Sequence, residues 1–236
     1  LAYSPGVAVP VQAIADDPAN AAKYTARSNL VAVITNGTAI LGMGNLGALA
    51  AKPVMEGKSV LFKRFADVDS IDLELDTEDP DKFIEAVALM EPSFGGINLE
   101  DIAAPECFII EQALRERMNI PVMHDDQHGT AIIATAGLIN ACHLTGRDLK
   151  NVRMVVNGAG ASALACTALI KSVGVPHENV IVCDRSGPIT PGRADVDQWK
   201  SAHAVPTEAT NLEEALEGAD IFLGLSAAGA LKPEWV

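Results

Sequence analysis

The sequence predicts an α/β protein of two domains, the second built on a doubly wound parallel sheet. Three observations predict it. Hydrophobic residues make up 49% of the 236 residues but aromatics only 4%, so the cores must be built from Ala, Val, Ile and Leu, which suit helices packed on parallel strands. Strand-like apolar runs alternate with helical patterns along the whole chain, with no internal repeat. Two glycine fingerprints, one in each half, each follow an apolar run.

In the first half, Ser59–Phe65 (SVLFKRF) reads as a strand. Asp81–Glu91 reads as a helix, with Phe83, Val87 and Met90 on one face and Pro80 near its start. Gly96–Leu99 is a short buried strand, Pro105–Met118 a helix opened by Pro105, and Ile120–His124 another short strand. Thr130–Leu144 is apolar on most sides and reads as a buried helix. The second half has cleaner signals. Val152–Asn157 is a strand, Ala161–Val173 a helix and Val180–Cys183 a strand. Asn211–Glu217 is a short helix that Asn211 can cap, and Ile221–Leu225 a further strand. The domain boundary is expected near Gln127–Gly129, giving domains 1–127 and 128–236. Further strands are expected beyond Val236 to complete the second sheet.

A net charge of −14 and a pI near 4.6 argue against nucleic acid and anionic membranes as partners. The same field repels an anionic substrate, so a metal or local cations must offset it at a site. Cys107, Cys142, Cys166 and Cys183 sit in apolar runs without a CxxC pair, which favours buried free thiols in a reducing, cytoplasmic compartment. No apolar run reaches transmembrane length. No signal peptide is visible, although the chain starts at Leu1 rather than Met.

The first glycine fingerprint is Gly42-Met43-Gly44-Asn45-Leu46-Gly47. The second is the GxGxxA variant Gly158-Ala159-Gly160-Ala161-Ser162-Ala163. Glycines there permit a tight turn and close backbone approach to a pyrophosphate at a helix N-terminus. Context favours the second: a helix pattern follows, then a strand ending at Asp184, an acid placed for the adenine ribose. The first is followed by Pro53, which leaves little room for a crossover helix, and Asp67 at the end of SVLFKRF only imitates the ribose acid. The first is then a structural turn or a loop on the substrate side.

Two acidic pairs, Glu100-Asp101 and Asp125-Asp126, follow short strands. Carboxylates from separate loops can converge on one hard divalent ion, and strand C-terminal ends are where open α/β folds place sites. Solvated loop acids are the equally weighted alternative. The run His124 to His128 (HDDQH) lacks a zinc spacing, so its histidines are read as structural or supporting.

The segments LAYSPGVA (1–8), NGTAILGMGNLG (36–47), KPVMEGK (52–58), GGINLEDI (95–102), MHDDQHGTA (123–131) and the turn at 158–163 together resemble malic enzymes, most closely the large bacterial type. The resemblance implies a substrate and metal domain followed by a Rossmann-like domain, and oxidative decarboxylation of malate. It implies NADP, with NAD as the alternative, a Mg2+ or Mn2+ ion, and a homo-oligomer. It gives Tyr3 as the general acid and Lys58 as the general base. Glu100, Asp101 and Asp126 become metal ligands, with Asp126 also counted at the cofactor site. Asp125 becomes a catalytic residue that lies beside the metal and tunes Lys58, and Gly158 to Ala163 with Asp184 bind the cofactor. Two departures stand out. Asn45 occupies a position where many malic enzymes carry Asp, and no arginine for the substrate carboxylate is evident near Asn36–Ile40. The rival readings are a metal-independent hydroxy- or amino-acid dehydrogenase, an oxaloacetate decarboxylase, and a nucleotide-sensing domain without catalysis. Asp184 alone favours NAD, whereas Arg185, Arg193 and Lys200 offset it.

Overall fold

The computed structural model describes residues 3–236, which divide into two units, the first ending at His124 and the second beginning at Asp125. Two short helices, α1 (Ala8–Asp16) and α2 (Ala21–Tyr24), lead into the first unit and bury no residue. Then follow β1 (Leu30–Thr35), α3 (Ala48–Ala66), β2 (Asp69–Glu74), α4 (Pro80–Leu89), β3 (Gly96–Leu99), α5 (Glu106–Arg117) and β4 (Val122–His124). All four strands are parallel, in the order β2-β1-β3-β4. The chain leaves β1 to one side to form β2 and returns on the other side to form β3. The C-terminal ends of β1 and β3 therefore flank a topological switch point, where such sheets open a crevice.

Three local readings of this unit are corrected. Ser59–Phe65 is not a strand but the last third of α3, and Asp67 is that helix's left-handed C-cap, at φ 54°. Pro53 lies inside α3 without ending it. It removes one amide donor, which leaves the carbonyl of Leu49 to solvent at a residue 86% exposed. Ala51, Met55 and Phe62 pack toward Val33 at helical spacing, and this tertiary contact overrides the β-prone run. Sequence reading named neither β1 (LVAVIT) nor β2 (DSIDLE), the latter an edge strand whose charge is itself protective against edge pairing. Lys52 of α3 neutralises it by pairing with Asp72 and, at 3.4 Å, with Glu74. The helix α4 matches its sequence signal. Asp79 accepts from the amides of Asp81 and Lys82, Pro80 occupies the first turn, and Phe83, Ile84 and Val87 are buried.

The second unit runs α6 (Asp125–Thr145), β5 (Met154–Asn157), α7 (Ala161–Ser172), β6 (Val180–Asp184), β7 (Gly187–Pro188), α8 (Gln198–Ser201), α9 (Leu212–Leu216) and β8 (Ile221–Gly224). The sheet order is β7-β6-β5-β8, with β7 alone antiparallel. Met154, Val156, Cys166, Ile170, Val180 and Val182 form its core. Here the switch point lies between β5 and β8. Asn211 caps α9 by accepting from the amide of Glu214. The helix α6 differs from expectation twice. It begins at Asp125, so the second acidic pair occupies a first helical turn, not a loop. It also buries only one stripe, Ala131, Thr135, Leu138 and Cys142, while Ile133 and Leu144 are 74% and 84% exposed. The four cysteines are free and buried. Among the described residues, no helix is long and apolar enough to cross a membrane.

Candidate active site and nucleotide groove

At the first switch point the chain turns sharply after β1. Gly37 has φ 69°, and a Cβ there would sit 2.2 Å from the carbonyl oxygen of Gly47. The amides of Leu46 and Gly47 both donate to the Gly37 carbonyl at 3.2 Å, so the GMGNLG segment is a loop folded back onto the end of β1. Its glycines serve that fold.

Beside it, β3 delivers Glu100 and Asp101. The Glu100 amide donates to the Ile34 carbonyl and the Asp101 carbonyl accepts from the Ala39 amide, both at 3.0 Å. The pair is thereby pinned to β1 and its loop. Asp101 takes φ 54°, a left-handed conformation that costs a non-glycine residue about 1–2 kcal/mol. Both acids are buried, at 5% and 4% exposure. Lys58, one helical turn past Met55 on α3, brings its Nζ to 3.2 Å from Glu100 Oε2. Asn98 Nδ2 donates to the same oxygen at 2.9 Å, while its own buried Oδ1 accepts no hydrogen bond among the described residues. Sequence reading passed over Asn98. The available signal was a polar residue inside the otherwise apolar GINL strand.

β4 pairs with β3 so that Leu99 lies opposite His124. Asp126 lies two residues beyond β4, in the first turn of α6. One carboxylate oxygen from each of the three lies within 4.8 Å of the others. Three oxygen donors, two of them buried, suit a hard divalent cation and not zinc. Asp125 lies over the next turn of its own helix, where a Cβ on Gly129 would fall 2.3 Å from its Oδ1, so glycine makes room for it. His124 is wholly buried. Tyr3 stands apart: it is 81% exposed, and its carbonyl accepts from the Val7 amide at 3.0 Å. No side-chain hydrogen bond joins it to the carboxylates or to Lys58 among the described residues.

The second switch point has a different character. Gly158 follows β5 at φ 128°, and a Cβ on it would overlap the Leu225 carbonyl oxygen at 2.2 Å. Gly160 caps α7, and a Cβ there would meet nothing within 4 Å. The glycine turn thus opens on a groove of about 890 Å³, lined among others by Gly158, Ala159, Gly160, Asp184 and Lys200. The α7 amides face it with their positive dipole end. Ala161, Ser162 and Ala163 form the first turn of α7. Ala163 is buried in the core at 1% exposure, so its smallness serves helix packing and not ligand contact. Asp184 ends β6 beside the groove. Burial works to raise its pKa, but hydrogen bonds from Arg193 and the Ser186 amide outweigh it and leave the carboxyl below its usual range.

Comparison with known proteins gives the family. The malic enzyme N-terminal domain matches residues 1–115, and the malic enzyme NAD-binding domain matches residues 127–235. The chain belongs to the malic enzyme family. An NADP-dependent malic enzyme of Rhizobium meliloti is 70% identical over the whole chain, which spans 31% of that relative's length. An NAD-dependent malic enzyme of the same organism is 55% identical over 99% of the chain, which spans 30% of it. Among solved structures, an NAD-dependent malic enzyme of Thermotoga maritima superposes with a TM-score of 0.94 at 46% identity, over 99% of this chain and 63% of that one. Within this malic enzyme chain, Lys58, Glu100 and Asp101 fall in the N-terminal match. The glycine turn and Asp184 fall in the NAD-binding match, and Asp126 falls between the two.

Proposed function

We propose that the protein containing this chain oxidatively decarboxylates malate to pyruvate and CO2, reducing NADP, with NAD as the poorer acceptor. The observation that carries the reading is the convergence of Glu100, Asp101 and Asp126 beside Lys58. A dehydrogenase that only moves hydride has no use for three converging carboxylates. An oxidative decarboxylase needs a Lewis acid on the C2 oxygen. Residues 1–127 serve as the substrate and metal domain and 128–236 as the nicotinamide domain of a cytoplasmic homo-oligomer.

When bound, Mg2+ or Mn2+ on Glu100, Asp101 and Asp126 supplies that Lewis acid, and the nicotinamide supplies the hydride acceptor. The remaining work falls to the chain. Lys58 takes the C2 hydroxyl proton as the hydride leaves C2, and Glu100 holds its amine in place at 3.2 Å. Asn98 fixes the Glu100 carboxylate by donating to the same oxygen, Oε2. Tyr3 returns a proton to C3 of enolpyruvate once CO2 has departed. Asp125 stands beside the ligands, and the turn from Gly158 to Ala163 seats the pyrophosphate.

The test follows reduced cofactor and CO2 from malate, with and without Mn2+, in the full-length protein. Chelation is expected to abolish both signals and Mn2+ to restore them. Lys58→Ala is expected to lower malate oxidation by about a hundredfold or more, the scale of a lost general base. Tyr3→Phe is expected to slow malate turnover and also metal-dependent decarboxylation of oxaloacetate, where no hydride moves. Full turnover in metal-free protein would refute the reading.

A further inference from the structure

Three basic side chains meet at the C-terminal end of α7, about 16 Å along the helix from the glycine turn at about 1.5 Å per residue. Lys171 lies in the last turn, and its Nζ stands 3.0 Å from His177 Nδ1 and 3.3 Å from His203 Nδ1. His177 comes from the 3-10 turn that precedes β6, and His203 follows α8. Lys52, Lys58, Lys63, Lys82 and Lys200 each pair with a carboxylate. No carboxylate pairs with Lys171 among the described residues. Lys171 and His203 are half-buried and His177 is exposed, so a small solute can reach the cluster from the His177 side.

The geometry fixes the proton on His177. Its Nε2 lies 3.1 Å from the Ala204 carbonyl oxygen, which can only accept, so Nε2 carries the hydrogen. Nδ1 then keeps its lone pair, aimed at the Lys171 amine. Burial without a counter-charge lowers the Lys171 pKa to about 8, which frees the nucleophilic amine near neutrality. Burial, then Lys171 and His177, push His203 down to about 4, so it stays neutral beside that amine.

We propose that Lys171 is a modification site for CO2, forming a carbamate with His177 as the proton acceptor. The ammonium gives one proton to His177 Nδ1. The freed Nζ lone pair forms the N–C bond to CO2, and one C=O π pair moves onto its oxygen. A second proton leaves the nitrogen for water. Lys171 thus passes from cation to carbamate anion, and His177 becomes an imidazolium that supplies the counter-charge the site lacked. CO2 is small and uncharged and needs no prepared pocket to reach a half-buried amine. The negative end of the α7 dipole opposes the new anion and keeps the adduct reversible. The supply of CO2 in turnover rests on the decarboxylation proposed above, but the site itself does not.

The full-length protein, with neither malate nor cofactor, is equilibrated with isotopically labelled bicarbonate and CO2 at mildly alkaline pH. It is then trapped with a trialkyloxonium salt, which converts a carbamate into a stable ester, and peptide mass spectrometry reads the occupancy at each lysine. Lys171 is expected to carry about ten times the label of the exposed Lys150 or more, since each unit by which a pKa falls multiplies the neutral amine about tenfold. Lys171→Arg, which keeps the cation, should lose that label. His177→Gln should slow labelling of Lys171 several-fold, and added imidazole should restore it, whereas a merely structural histidine would not be rescued by a free base. If Lys171→Arg does not fold, the comparison of Lys171 with Lys150 within the unaltered protein still decides the matter. Equal label at the two lysines would overturn the site, and undiminished labelling in His177→Gln would overturn the part given to His177. Failure of the unaltered protein to release CO2 from malate, with Lys171 labelled, would overturn the proposed function and leave this site standing.

Discussion

Gly158 and Gly160 belong to one fingerprint, yet the structure gives them opposite reasons to be glycine, and a pair of alanine variants separates them. At Gly158 an alanine Cβ would lie 2.2 Å from the Leu225 carbonyl oxygen, with φ at 128°. Both conflicts are with backbone, so no side chain can turn away. Strain at such a φ costs about 1–3 kcal/mol and the forced separation of the turn from the end of β8 about as much again, for a total of about 4 kcal/mol. At roughly 4 °C per kcal/mol for a unit of little more than about 100 residues, Tm should fall by about 16 °C. At Gly160, φ is −91° and the new Cβ meets nothing within 4 Å. Gly160→Ala should therefore hold Tm within a degree or two, or raise it slightly through the lost backbone freedom of the unfolded chain. Its Cβ instead occupies the space through which a pyrophosphate approaches the α7 amides, so NADP affinity should fall. The assay is a thermal melt of each variant with and without NADP. Gly158→Ala should melt early but keep a ligand-induced shift, and Gly160→Ala should melt normally and lose the shift. Equal destabilisation by the two variants would refute the argument, because both glycines would then be structural.

Asp101→Asn removes one of three converging carboxylates together with its like-charge repulsion. Mn2+ binding, read by electron paramagnetic resonance, should be lost while the metal-free protein becomes no less stable; unchanged Mn2+ affinity would take Asp101 out of the ligand set. His203 lies 3.3 Å from the Lys171 amine, and burial, then Lys171 and His177, push its pKa down to about 4. Its folded pKa is below the usual 6.5, so the stability it contributes is present near neutrality and lost as pH falls from about 6.5 to 4. The slope is at most about 1.4 kcal/mol per pH unit and less for a partly exposed ring. His203→Gln should flatten the fall in Tm over that range, and an unchanged fall would assign the acid sensitivity to other groups.

What the sequence revealed depended on whether local pattern and tertiary contact agreed. In the second unit they agree. MVVN, the glycine turn, an apolar helix and VIVCD each have the period of the element they form, and each is buried as that period requires. In α3 they conflict. Ser59–Phe65 has strand composition, and only its position between Met55 and the β1 core makes it helical. Pro53 reinforced the error, since a proline inside a helix is tolerated where the orphaned carbonyl reaches water, which the sequence does not announce. β2 escaped notice because its three acids masked an edge strand that two lysines of α3, Lys52 and Lys63, hold in balance. The acidic pairs were singled out by their places after short strands, Lys58 and the ligand set only by resemblance, and the approach of Lys58 to Glu100 follows from strand order, which no local pattern contains. Asn98 was missed for the same reason: one polar residue in a short apolar run acquires meaning only once Glu100 is placed beside it.

The two units place their crevices by one rule and charge them by opposite ones. In each, the chain leaves a central strand to one side and returns on the other, and the gap opens where those two strands end. At the first gap the strand ends deliver acids, an arrangement whose charge suits a cation. At the second they deliver a glycine turn and helix amides, an arrangement that suits an anion. The −14 net charge of the chain does not contradict this. Exposed charges are screened within about 8 Å at physiological ionic strength. Groups buried at a strand end, such as Glu100, are screened far less. The local arrangement therefore governs binding, and the global charge governs only the approach.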